Sequence, residues 1–210
     1  MTGVASFALP ALPFGPNALW PLVSPKLIAL HWEVLHAGYL QRWRTASLTK
    51  PRGREKTLAF NRNGAVLHDL WWHNLSEQRE DPPDGSFHGR VGDTDKLEDA
   101  LIKTGLELHG SGWACLSVKK AGKRRWEPMV HAVENHSYDW ASPWKPLILV
   151  DVFEHAYWPD QTDKAKYLEG IVRAHLDWRA ADVRLEMNKK DMLTRTWLFE
   201  DSDGAPPWVL

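Results

Sequence analysis

The chain has 210 residues, a formal net charge of −1 and 43% hydrophobic residues, the balance of an ordinary globular protein with enough length for a substantial core. Near-neutral charge offers no electrostatic footprint for nucleic acid or an anionic membrane surface. A single cysteine excludes an internal disulfide framework and suits a reducing compartment. The opening "MTGVASFALPALPFGP" has no basic region and is broken by prolines before any membrane-length apolar run. Neither a signal peptide nor a spanning helix is expected, and the expected location is cytoplasmic.

In chain order, residues 1–24 carry Pro10, Pro13, Pro16 and Pro21 and should run extended over the surface. Ser24-Pro25 is a cap and first-turn pair for a helix. In "KLIALHWEVLHAGYLQRW", apolar Leu27, Leu30, Val34 and Tyr39 recur three and four apart, which predicts one helix. "KPRGRE" breaks it, and "KTLAFNRNGAVLHDLWWHNL" predicts a second helix, interrupted at Asn63-Gly64. The two make a helical hairpin. "EDPPDGS" is a loop, and Asp93 caps a third helix, "TDKLEDALIKTGLEL", which ends before Gly110. "WACLSVKK" and "RRWEPMVHAVE" alternate around the turn "AGKR" as a β-hairpin, "PLILV" is a third strand, and "KAKYLEGIVRAHLDWRAADVRLEM" returns to helical period. Helices, then strands, then a helix is an α+β order. The expected organisation is an N-terminal helical-hairpin domain over 1–82 and a C-terminal domain over 83–187. The latter carries a three-stranded antiparallel sheet with surrounding helices, and 188–210 form an extension that docks or stays mobile.

Ten histidines and thirteen tryptophans stand out. "PLILVDVFEHAYW" runs from an apolar strand straight into Asp151, Glu154 and His155. Burying such charges costs several kcal/mol unless each is paired or bound to a metal, so the choice lies between a local ion pair and a metal site. His31 and His68 also lie on predicted elements among apolar neighbours. Taken singly, each is better read as a satisfied core histidine. Three imidazoles and a carboxylate together suit iron or manganese, although zinc would accept the same set.

Five segments carry a resemblance to the iron/manganese superoxide dismutase family. "LPALPFGPNALWP" resembles its opening "LPxLPYxxxALEP", and "LHWEVLHAGYL" resembles "LHHxKHHxxYV". "AFNRNGAVLHDLWWHNLS" is similar to "FNxGGHxNHxxFWxNLSP", "HGSGWACL" to "GSGWxWL", and "DVFEHAY" to "DVWEHAY". The resemblance implies that superoxide is converted to dioxygen and hydrogen peroxide at one iron or manganese ion per subunit, iron being favoured. It implies His31, His68, Asp151 and His155 as ligands, with Glu154 reaching a partner's His155 across a homodimer that could join into a tetramer. Tyr39 corresponds to the gateway tyrosine, and Trp72, Trp113 and Phe153 to the aromatic cage. The group that bonds to solvent on the metal comes in this family from one of two positions. Gly64 leaves the earlier one empty, and His136 occupies the later one.

The match also departs from the pattern. Leu35 replaces a funnel histidine and Trp158 the tyrosine that bonds to it, so Tyr39 is expected to lack a protein partner on its outer side. Phe153 replaces a tryptophan, Cys115 another bulky aromatic, and Trp20 an acidic residue. Asp160 and Asp163 stand where the family has cations, which weakens the expected capture of a small anion. Two other readings remain open: a different metal-dependent oxidase or oxygenase on the same site, and a non-catalytic homologue kept for assembly.

Overall fold

The computed structural model describes residues 12–48, 55–82, 86–189 and 192. Helix α1 (Pro25–Ala29) continues through a π-turn (Leu30–His36) into α2 (Ala37–Leu48), and α3 (Glu55–Trp72) returns against it. Two further helices follow, a short α4 (Ser86–Arg90) and α5 (Thr94–Glu107). The strands β1 (Gly112–Lys120), β2 (Trp126–Glu134) and β3 (Lys145–Asp151) make an antiparallel sheet in the order β2-β1-β3. A 3-10 turn (Glu154–Ala156), α6 (Lys164–His175) and α7 (Trp178–Glu186) complete the described fold. The class is α+β, as the order of elements predicts.

Central β1 is buried from Gly112 to Val118 and β3 along its whole length, whereas edge strand β2 is largely open to solvent. Helices α3 and α7 pack on β3, and α5 packs on β1 and β2. The buried end of β3 and the buried middle of α3 are thereby brought together, and the functional residues sit there. Ser24 caps α1 by accepting from the Leu27 amide at 3.2 Å, and Asp93 caps α5 through the Asp95 and Lys96 amides. Among the described residues no helix is long and apolar enough to cross a membrane.

Four expectations need correction. Residues 12–24 are not extended: the amides of Ala18, Trp20 and Val23 bond back to Gly15, Asn17 and Leu19, and Leu19 and Val23 are buried. Asn63-Gly64 does not interrupt α3, because one glycine costs a helix only about 1 kcal/mol and packing outweighs it. The last predicted helix is two. Leu176 and Asp177 leave the helical conformation, the Leu176 carbonyl accepts from the Glu80 amide and the Asp177 amide donates to the Asn74 carbonyl, and the Asp177 carboxylate restarts the chain as α7 by accepting from Arg179 and Ala180. The stripe on the first helix is also misassigned. Leu27 is buried, but Leu30 is 45% and Val34 58% exposed, because the π-turn shifts the face that points inward. Most of "KPRGRE", the centre of "EDPPDGS", residues 1–11 and all but a few residues of the extension lie outside the described residues. Of the extension, Met192 is buried and the Lys189 ammonium donates to the Trp140 and Ser142 carbonyls.

Candidate metal centre

Four elements each deliver one donor: the π-turn carries His31, α3 carries His68, the end of β3 carries Asp151, and the 3-10 turn carries His155. The imidazole Nε2 atoms of His31, His68 and His155 lie 3.3, 3.5 and 3.4 Å from Asp151 Oδ2. All four donor atoms fall within 4.8 Å of one another. Two donors each about 2.1 Å from one ion, at about 90–120° to each other, would be about 3.0–3.6 Å apart, so this spacing fits a shared ion. None of the four atoms has a hydrogen-bond partner among the described residues. An unmet buried polar atom costs about 1–3 kcal/mol, and four at one point call for an occupant.

The remaining atoms of these side chains are spoken for in ways that aim the donors. Asp151 Oδ1 accepts from the Phe153 amide at 2.8 Å, and the Tyr167 hydroxyl donates to the Asp151 carbonyl at 2.9 Å. His68 Nδ1 faces the Gly64 carbonyl at 2.6 Å. A carbonyl only accepts, so Nδ1 carries the hydrogen and Nε2 keeps its lone pair for a cation. Burial pushes the His31 and His68 imidazoles down, so both are neutral at physiological pH. Burial alone would raise the Asp151 carboxyl, but His155 and His31 beside it reverse the sign and hold it well below the usual carboxylate range. Neutral imidazoles around an ionised carboxylate are the protonation states a divalent cation needs.

Why this helix reaches the site with more than one ring is a matter of geometry. His31, His36 and Tyr39 all pack against His68, at ring-centroid distances of 5.0, 5.6 and 5.2 Å. Residues five apart lie on different faces of an α-helix, but on one face of a π-turn. The aromatic residues close the cavity. Trp72 meets His31 edge-on at 4.8 Å, Trp113 meets His68 at 4.9 Å, and Phe153 stacks on both His136 and His155 at 4.9 Å.

His136 is buried and fixed from two sides. Its Nδ1 accepts from the Trp113 indole at 3.1 Å. An indole nitrogen only donates, so the neutral ring carries its hydrogen on Nε2, which has no partner among the described residues. Burial lowers this imidazole to about 4. From α3, the Asn63 amide donates to the His136 and Tyr138 carbonyls at 2.7 and 3.0 Å while its oxygen accepts from Trp140. Tyr39 meets His136 edge-on at 4.7 Å, and its hydroxyl has no hydrogen-bond partner among the described residues. Burial and the Asp151 charge raise its ionisation above the ordinary phenol value, with Arg42 pulling the other way. Glu154 is exposed beside half-buried His155, and Trp158 is 54% exposed.

Sequence reasoning missed His36, Phe60, Asn63 and Arg42. Phe60 lies 4.9 Å from the His136 ring and 6.0 Å from that of Tyr39. The Arg42 guanidinium lies 4.9 Å from the Tyr39 ring centre, so the outer side of Tyr39 is not empty. Asp160 and Asp163 turn out to serve helix starts: Asp160 accepts from the Ser24 amide, and Asp163 from those of Ala165 and Lys166.

Comparison with known proteins bears on this geometry. Residues 6–76 match the alpha-hairpin domain of the iron/manganese superoxide dismutases, and residues 86–184 match their C-terminal domain. An iron superoxide dismutase of Mycobacterium tuberculosis is 31% identical over 170 residues, covering 74% of this chain and 81% of its own. A manganese superoxide dismutase of Mycolicibacterium fortuitum is 30% identical, covering 80% and 87%. A mitochondrial manganese enzyme of Aspergillus oryzae is 26% identical, covering 86% and 93%.

Proposed function

The chain belongs to the iron/manganese superoxide dismutase family and converts superoxide to dioxygen and hydrogen peroxide; we propose that it does so at one ion held by His31, His68, Asp151 and His155. The observation that carries this reading is the convergence of four buried, unpartnered donor atoms from four elements. The donor set accepts either iron or manganese. When bound, such an ion supplies a one-electron couple that takes an electron from one superoxide and returns it to a second, which leaves as hydrogen peroxide after gaining two protons.

The protein's own contribution is to hold protons and exclude water. His136 presents a fixed neutral Nε2–H inside the cavity, because Trp113 occupies its other nitrogen and Asn63 pins its backbone. Tyr39 keeps its hydroxyl protonated at neutral pH and stands half-exposed between His68 and solvent, where it can pass a proton inward from water. Trp72, Trp113 and Phe153 keep bulk water from the donors, so that protons enter by Tyr39. Leu35 stands in place of a polar neighbour, so among the described residues no side chain relays protons to Tyr39.

The same reading includes a two-fold dimer. Among the described residues His155 Nδ1 has no partner and the carboxylate of adjacent, exposed Glu154 is unpaired, while apolar Leu30 and Val34 lie open on the π-turn that carries His31 and Trp158 lies open just past the 3-10 turn that carries His155. A second copy related by a two-fold axis would place each glutamate on the other's imidazole and cover these side chains. Sedimentation at micromolar concentration should give a dimer, and a monomer with full metal content would remove this part of the reading.

The test of the activity is superoxide consumption by the metal-loaded protein, by the metal-free protein and by Asp151→Ala. Rapid consumption by the first alone is expected. A metal-loaded protein no faster than spontaneous dismutation would overturn the assignment.

A further inference from the structure

Arg42 is exposed on α2, yet it is held in two ways. Its Nε donates to Asn61 Oδ1 at 2.9 Å, and Asn61, itself buried, is oriented by donating through Nδ2 to the Thr57 carbonyl at 2.8 Å. Its guanidinium carbon lies 4.9 Å from the centre of the Tyr39 ring. One turn back, a side chain on Gly38 would come within 2.9 Å of Nη1, so glycine there lets the guanidinium keep this position without shifting. An exposed arginine ordinarily keeps its rotamer freedom, and the Asn61 bond and the Tyr39 contact oppose that freedom here.

The terminal Nη1 and Nη2 groups, by contrast, are uncommitted. Among the described residues Arg42 has no ion pair, and its one hydrogen bond uses Nε. A cation–π contact within α2, with the Asn61 bond tying Arg42 to α3, would explain the stacking. It leaves unexplained why no carboxylate neutralises the charge. Asp160 and Asp163, the acidic groups that follow the site in sequence, are engaged at the amides of Ser24, Ala165 and Lys166.

Of the rings packed on His68, those of His31, His36, His136 and Trp113 are buried, and half-buried His155 lies on the face assigned to the dimer; Tyr39 is half-exposed and lies beside Phe60, which is 42% exposed. An anion approaching over Tyr39 passes the guanidinium first. A fixed positive charge above a low-dielectric cleft raises the local concentration of small anions and their rate of entry.

We infer that Arg42 is the access cation of this site, held by Asn61 and Gly38 over Tyr39 so that its free guanidinium edge draws small monoanions, superoxide first, toward the donor cluster. This rests on the dismutase reading for its substrate, but not for the anion preference itself. Arg42 is thus a positioning and selectivity residue that touches the incoming anion before the reacting centre does.

The experiment uses metal-loaded wild type, Arg42→Leu and Arg42→Lys. Azide affinity is followed by optical titration, and kcat/KM for superoxide is followed against ionic strength. Arg42→Leu should weaken azide binding about threefold or more and flatten the fall of kcat/KM with salt, as expected when a steering charge is lost. Arg42→Lys keeps the charge without the Nε bond, and should retain most of the salt dependence while losing part of the azide affinity. Unchanged azide affinity and salt slope in Arg42→Leu, with only a lower melting temperature in both variants, would overturn the inference and leave a bond that ties α2 to α3 through Asn61. If no variant consumes superoxide but azide still weakens in Arg42→Leu, the access cation stands and the substrate reading falls.

Discussion

Gly64 has no side chain to contribute, yet it decides where Tyr39 can stand. A Cβ there would lie 2.6 Å from one Tyr39 ring carbon and 2.8 Å from another, and a ring packed on His68 and His136 has little room to retreat. Gly64→Ala should therefore push Tyr39 off His68, costing about 1–3 kcal/mol of stability and lowering turnover more than metal content. Thermal melting with paired metal and kcat measurements checks this, and an unchanged melting temperature and kcat would contradict it. Sequence reading noticed Gly64, but as an empty position and a helix break. Its role as a seat depends on a ring that arrives from another helix, and no pattern within α3 encodes that. Asn63 is a parallel case: next to Gly64 it reads as a turn residue, while in the fold its amide bridges α3 to the carbonyls of His136 and Tyr138. Asp151 and His155 stood out in the sequence because charges at a strand end are costly unless paired or bound, whereas His31 and His68 joined them only through the family resemblance.

The π-turn Leu30–His36 is the element the site depends on most and the one least visible in sequence. Apolar spacing is read against 3.6 residues per turn, and that template put Leu30 and Val34 inside, where the wider turn leaves them exposed. The spacing of His31, His36 and Tyr39 makes sense only once the extra residue is absorbed, bringing all three rings onto His68. Deleting Glu33, an exposed residue of the turn, should restore an ordinary helix and rotate Tyr39 away from the face of His31. The deletion variant is expected to keep its far-ultraviolet helix signal but to bind well under one equivalent of metal, measured by elemental analysis. Full metal retention would show that the π-turn is incidental. Elsewhere Asp93 caps α5 and the sheet forms from the three strands expected, whereas the break at Asp177 was missed because helical period runs through a residue that restarts the chain as a cap.

Across the whole molecule, packing so many imidazoles around one carboxylate has a consequence for acid stability. Burial lowers His36 to about 3 and His136 to about 4, and pushes His31 and His68 down as well. In the unfolded chain each takes up a proton near its ordinary value of about 6.5. The unfolded state therefore binds more protons as pH falls below that value. The stability associated with neutral buried imidazoles is present above about 6.5 and is lost progressively down toward 3. Urea midpoints of the metal-free protein should fall steadily from pH 7 to pH 5, and a flat profile would mean that the rings are protonated or solvated in the folded state. Bound metal should shift the loss to lower pH, because the ion holds only the unprotonated donors. The account as a whole stands on those donors meeting at one ion, and anomalous X-ray diffraction from crystals of the metal-loaded protein tests that directly. It should show one peak per chain, about 2.0–2.2 Å from Nε2 of His31, His68 and His155 and from Oδ2 of Asp151. A peak elsewhere, or four donors with no peak between them in a protein that consumes superoxide, would contradict it.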